Sequence, residues 1–235
     1  MFGEFGLLEL WIALAGVAIG ILALRIGVAY VAYIVPLLGA QTDLAAGEIV
    51  ADEVVASQVY LPDAMLFFLV SGNAWLILSR SASDGAAAVS VLFVVLLWLL
   101  AYIDAHTTIL PDVLTGLLAI SGLVVRWSGL RGRWDDLGAY FAMGLGFGVP
   151  WLINWLYRRL RRADSDAIGQ GDAKLLAGMG VWLGLQPLGT VIMSAAWLSV
   201  LYTLCKGLKK RRLPLAVPLG PFLALAGNIW ILKHV

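Results

Sequence analysis

Two aspartates stand at the ends of long apolar runs in this chain. Asp104 lies in the segment YIDAHTTILPD (residues 102–112) and Asp172 in GQGDAK (residues 169–174). A carboxylate beside a bilayer core is expensive to place and usually marks function. A pair of them can hydrolyse a peptide bond, one acting as base toward water and the other as acid toward the carbonyl oxygen. Two nearby carboxylates do not both ionise readily, so they share a proton across a split pair of apparent pKa values. That chemistry requires no metal, no cofactor and no nucleophilic side chain, and none is expected here. The chain has no Gly-x-Ser-x-Gly elbow and no His-Glu-x-x-His helix. Its lone Cys205 has no nearby histidine, and the distant His106 and His234 do not complete a zinc knuckle with it.

The runs that must position these carboxylates are membrane-like. Hydrophobic residues make up 61% of 235 positions, charged residues only 13%, and the mean hydropathy is +0.91. A soluble domain carries roughly 25% charged residues, so composition indicates an all-α, polytopic membrane helix bundle. With a net charge of +1 and no basic face carrying interleaved aromatics, the chain is not expected to bind nucleic acid. Membrane lipid is the expected surrounding.

A crossing needs about 20 apolar residues. Spans are expected near Phe5–Leu24, Pro62–Leu78, Ala86–Ile103, Val113–Val125, Leu137–Tyr157, Asp172–Leu188, Gly189–Cys205 and Pro214–Leu232. That is about eight transmembrane helices, the fourth and sixth short. The amino terminus is acidic (Glu4, Glu9) where a cleavable signal would be basic, so the first span is expected to be retained. The stretch Ile26–Ala40 contains Pro36; it either extends the first helix or lies along the interface. The acidic connection Gln41–Leu61 suits a short amphipathic helix. A single membrane-embedded domain over residues 1–235 is expected, with 1–61 as the first span and its connection.

Basic residues orient the bundle. If the first helix runs inward, eleven of the 16 Lys and Arg fall on the cytosolic side, including the clusters Arg158–Arg162 and Lys209–Arg212. These clusters are topology anchors and contacts for anionic lipid. Asp104 then closes the third span and Asp172 opens the sixth, both at the cytosolic face.

Each polar residue near these points has two readings. A single aspartate at a span end is more often an interfacial cap than a catalyst; two at one face, one behind Gly-x-Gly, bring the readings level. Gly169 and Gly171 permit backbone conformations closed to other residues and allow another segment to approach closely. Asp172 opens a helix, where the dipole favours its ionised form, whereas Asp104 closes one, so a shared proton is expected mainly on Asp104. Asp112, after Pro111, is most simply the cap of the fourth helix and secondarily a support for Asp104. Lys174 either snorkels to headgroups or tunes Asp172. His106 is more simply a solvated interfacial side chain than a catalytic one.

At these residues the chain resembles the type IV prepilin peptidases, membrane aspartyl proteases of the GxGD class. The segments IDAHTTILPDVLT, IGQGDAKLLAGMGVWLG and VPLGPFLALAG are similar to three of that family's motifs, in family order. They lie within residues 98–227. The resemblance implies that Asp104 and Asp172 are the catalytic pair; beside it, the residues themselves put Gly169 and Gly171 in the active-site loop and make Asp112 and Lys174 candidate supports. It implies prepilin or pseudopilin substrates, cut at the cytosolic face of the bacterial inner membrane between a short basic leader and a hydrophobic helix. It implies no metal. Many members insert a cytosolic domain with paired Cys-x-x-Cys motifs and also N-methylate the product. Here the corresponding connection, Gln41–Leu61, is short and lacks Cys, so cleavage without methyl transfer is expected.

Three rival readings remain at this level. A presenilin- or signal-peptide-peptidase-like protease would share the GxGD aspartate, but the chain has no Tyr-Asp partner motif and no Pro-Ala-Leu segment near its end. A transporter would place its acids nearer mid-membrane along a pathway. A non-enzymatic pilus-assembly factor could keep both aspartates for structural reasons.

Overall fold

The computed structural model describes residues 2–45, 62–81, 84–129, 136–161, 167–210 and 217–234. Among them are eight helices and no strand. They are α1 (Phe2–Ala45), α2 (Asp63–Arg80), α3 (Asp84–Thr107), α4 (Asp112–Ser128), α5 (Asp136–Arg161), α6 (Gln170–Leu183), α7 (Leu185–Lys210) and α8 (Gly220–Lys233). Segments of α1, α3, α5 and α7 are long and apolar enough to cross a bilayer by length and composition. The others are shorter: α6 and α8 have 14 residues each, about 21 Å at 1.5 Å per residue against a hydrocarbon core of about 30 Å. The chain is an all-α membrane protein, as its composition indicates.

The eight helices answer to the eight expected spans, with instructive differences at their ends. α1 runs unbroken through Ile26–Ala40 with Pro36 inside it, so that stretch extends the first helix. The rest of the connection, 46–61, lies outside the described residues. The sixth helix ends at Leu183 and the seventh starts at Leu185, earlier than the apolar run suggests. Gly184 adopts φ 84° and ψ 177°, a conformation open to glycine alone, and Pro187 sits in the first turn of α7, where its missing N–H is not needed. α8 starts at Gly220 with Pro221 in its first turn, later than the expected Pro214; residues 211–216 lie outside the described set.

The helices group into two compact units, residues 1–109 with 194–235 and residues 110–193, with α7 divided between them. In the first unit α3 is packed by α1, α2 and α8. Its side chains are buried nearly all round, with Phe93, Leu97, Leu100 and Ile103 fully enclosed. α2 offers the stripe Leu66, Val70, Ala74 and Ile77, spaced to lie along one helical face. α1 approaches α2 through Gly16 and Gly20: a methyl at Gly20 would lie 3.1 Å from the Phe67 carbonyl oxygen. Small residues four apart let membrane helices make backbone-level contact.

In the second unit the short helix α6 is sandwiched between α4 and α5. Methyls built at Gly146 of α5 and Gly180 of α6 would lie 2.6 Å from the backbone of Leu176 and Ala142 respectively. The two helices therefore touch main chain to main chain. On the other side, Trp182 Nε1 donates to the Leu118 carbonyl at 2.8 Å. Arg126, at the end of α4, donates to the Val181 and Trp182 carbonyls, satisfying two acceptors that the end of α6 leaves open.

Candidate active site

Asp104 occupies the last turn of α3 and is 4% exposed. Its Oδ2 accepts the backbone N–H of Gly220 at 2.9 Å. A methyl at position 220 would lie 2.6 Å from that oxygen and 3.0 Å from the Asp104 Cβ, so only glycine allows this approach. Gly220 opens α8, and the amino end of a helix draws anions. The carboxylate therefore lies between the carboxyl end of α3 and the amino end of α8. Behind the carboxylate, Thr108 has φ 54°, a left-handed conformation uncommon for a β-branched residue. Its N–H bonds to the Asp104 carbonyl at 2.8 Å, and Thr107 Oγ1 bonds to the Ile103 carbonyl at 2.8 Å, so the end of α3 is closed by its own threonines.

On another face of α3, the buried Tyr102 hydroxyl donates to Asp63 at the start of α2. His106 Nδ1 donates to the Tyr102 carbonyl at 2.8 Å, and its ring lies 4.3 Å from the Tyr102 ring. This histidine is half-buried on its own helix, not a freely solvated interfacial residue.

Asp172 is half-buried in the first turn of α6, two residues past its first residue, Gln170. The N-cap is Gly169, with an ordinary φ of −56°. Gly169 and Gly171 thus do not supply unusual backbone angles, as was one expectation. They supply room: a methyl at Gly171 would lie 2.9 Å from Leu110 Cβ, and one at Gly169 3.2 Å from Asp172 Oδ2. Just upstream, the buried Asn154 of α5 pairs with both backbone polar groups of Ile168. Sequence reading passed over this residue. Its one signal is an amide within the apolar run WLINWLY.

Asp112 is the first residue of α4; Pro111 is the N-cap and no side chain caps the helix. Asp112 Oδ1 pairs instead with Lys174 Nζ at 2.5 Å. The supporting residues Asp112 and Lys174 are therefore brought together, each other's partner rather than cap and snorkel. Each unit has one end where its polar residues gather. In the first, the end of α3 meets the starts of α2 and α8; in the second, the starts of α4 and α6 meet near the end of α5.

Residues 91–204 match the family model described as the type IV leader peptidase family. The chain is 34% identical over 165 residues to a prepilin leader peptidase/N-methyltransferase of Pectobacterium carotovorum subsp. carotovorum, covering 69% of this chain and 55% of that protein. It is 33% identical over 178 residues to the protein of the same description from Dickeya chrysanthemi, covering 72% and 59%. Over 146 residues it is 37% identical to one from Burkholderia pseudomallei, covering 61% and 46%. The chain thus spans about half the length of these relatives. No solved structure matches it. The matched segment contains both aspartates and the glycine turn, and it is through residues 91–204 that the chain is similar to the type IV leader peptidase family.

Proposed function

We propose that this chain is a leader peptidase for prepilins or pseudopilins, acting at the cytosolic face of a bacterial inner membrane. The observation that carries this reading is the GQGDAK turn opening α6 inside a family-matched segment that also holds Asp104. Asp104 and Asp172 act on one peptide bond. One carboxylate takes a proton from water as it adds to the scissile carbonyl carbon; the other, as the acid, protonates the carbonyl oxygen. When the tetrahedral intermediate collapses, the C–N bond breaks, the leaving amine takes the proton that the first carboxyl removed from water, and a hydroxyl proton of the intermediate returns to the second carboxylate as the carbonyl re-forms. Gly169 and Gly171 let the chain pass close to Asp172 and Leu110, and the Asp112–Lys174 pair ties the starts of α4 and α6 together.

The relatives' descriptions include an N-methyltransferase. We assign this chain cleavage alone, because its single Cys205 cannot furnish the paired Cys-x-x-Cys motifs of the larger members. The test uses the purified chain in lipid nanodiscs, a prepilin bearing a short basic leader ending in Gly, and S-adenosylmethionine. Mass spectrometry should show the leader removed at that glycine and an unmodified new amino terminus. An intact prepilin, or cuts inside its hydrophobic helix, contradicts the leader-peptidase reading. A product heavier by one methyl group contradicts the cleavage-only assignment.

A further inference from the structure

The peptide that enters the Gly169–Asp172 turn is gripped by a side chain from another helix. Asn154 of α5 is 4% exposed. Its Nδ2 donates to the Ile168 carbonyl at 2.7 Å, and its Oδ1 accepts the Ile168 N–H at 2.8 Å. One planar amide thus satisfies both polar groups of one residue, which fixes that residue's position and its rotation together. Ile168 immediately precedes Gly169, the N-cap of α6, and Asp172 follows within the first turn. The glycines on either side of Gln170 have no side chains with which to anchor the turn. Further along, the backbone contacts at Gly146 and Gly180 lock the body of α6 onto α5. α5 therefore holds α6 along its length and, through Asn154, holds the peptide leading into it.

We propose that Asn154 is a positioning residue that sets the Asp172 carboxylate for catalysis by clamping the Ile168 peptide. This inference rests on reading Asp172 as catalytic. A displacement of about 1 Å at a reacting group can slow a reaction about a hundredfold. The clamp leaves substrate affinity alone, because it acts through the backbone behind the aspartate and not on the peptide being cut.

The test compares the full-length wild type with N154L, N154D and D172N in nanodiscs, using a prepilin that the wild type cleaves. Leucine keeps the branched heavy-atom outline of asparagine, is somewhat bulkier and has no polar atoms; aspartate keeps the acceptor for the Ile168 N–H. The expected result for N154L is a kcat lower by about 10- to 100-fold with KM within about threefold of wild type. N154D should fall between the two. Hydrogen exchange at the Ile168 amide should quicken in N154L while α4 and the body of α5 keep wild-type protection. A wild-type kcat in N154L overturns the proposal, as does a loss of kcat accompanied by faster exchange throughout the chain, which marks a general folding role. If N154L is not recovered folded, N154D decides: a wild-type kcat there overturns the proposal, and an intermediate kcat with local exchange at Ile168 supports it. D172N separates the two levels of inference. Cleavage surviving in D172N defeats the catalytic reading of Asp172, whereas an inactive D172N beside a fully active N154L defeats the clamp alone.

Discussion

The environment of Asp104 turns on the absence of a side chain at Gly220. In G220A the added methyl would meet the carboxylate at 2.6 Å, so the N–H contact must lengthen or the aspartate must move. Cleavage by G220A is expected to fall by about tenfold or more. In G72A nothing lies within 4 Å of the added carbon, and activity should match wild type; equal rates for G220A and G72A contradict the role given to Gly220. The Asp112–Lys174 pair carries less weight, because its side chains are 74% and 38% exposed. Exposed pairs contribute about 0–1 kcal/mol and weaken with salt. Thermal unfolding in detergent should therefore place K174M within a few degrees of wild type, and a collapse of the fold would show the pair to be more than a surface tie. The aspartates, the glycine turn and the supporting pair were legible in the sequence as residue types at helix ends. Asn154 was not, and Gly220 was legible only as part of the VPLGPFLALAG motif and not as the neighbour of Asp104, because their partners lie 14 and 116 residues away and only the packing of helices brings them together.

At the scale of helices, apolar run length located all eight elements. Their ends escaped it, because ends are set by local backbone chemistry: Gly184 stops α6 within a continuous apolar run, and Pro221 opens α8. The long α1 shows the converse, since Pro36 fits inside a helix whose backbone is otherwise satisfied. The seam between α5 and α6 is where helix packing bears on Asp172. In G180A the new carbon would lie 2.6 Å from the Ala142 carbonyl, and main chain cannot rotate aside as a side chain can. Overpacking of this kind costs about 1–3 kcal/mol, and the resulting shift of α6 should lower cleavage as well as the unfolding temperature. G144A, on the same face-to-face pair of helices but with nothing within 4 Å, is the matched control and should lose neither.

For the whole molecule, the proposed cytosolic placement of the site rests on the distribution of basic residues. In a C205S background, a membrane-impermeant maleimide applied to spheroplasts should label S128C, at the exposed end of α4, and leave R161C unlabelled until the membrane is opened. The reverse pattern contradicts the cytosolic site.

The central claim is that Asp104 and Asp172 are both required to cut the leader. D104N and D172N, each coexpressed with a prepilin at wild-type membrane levels, should leave it uncut, with rates down by at least about a hundredfold. Mature pilin accumulating at the wild-type rate in either variant contradicts the two-aspartate mechanism.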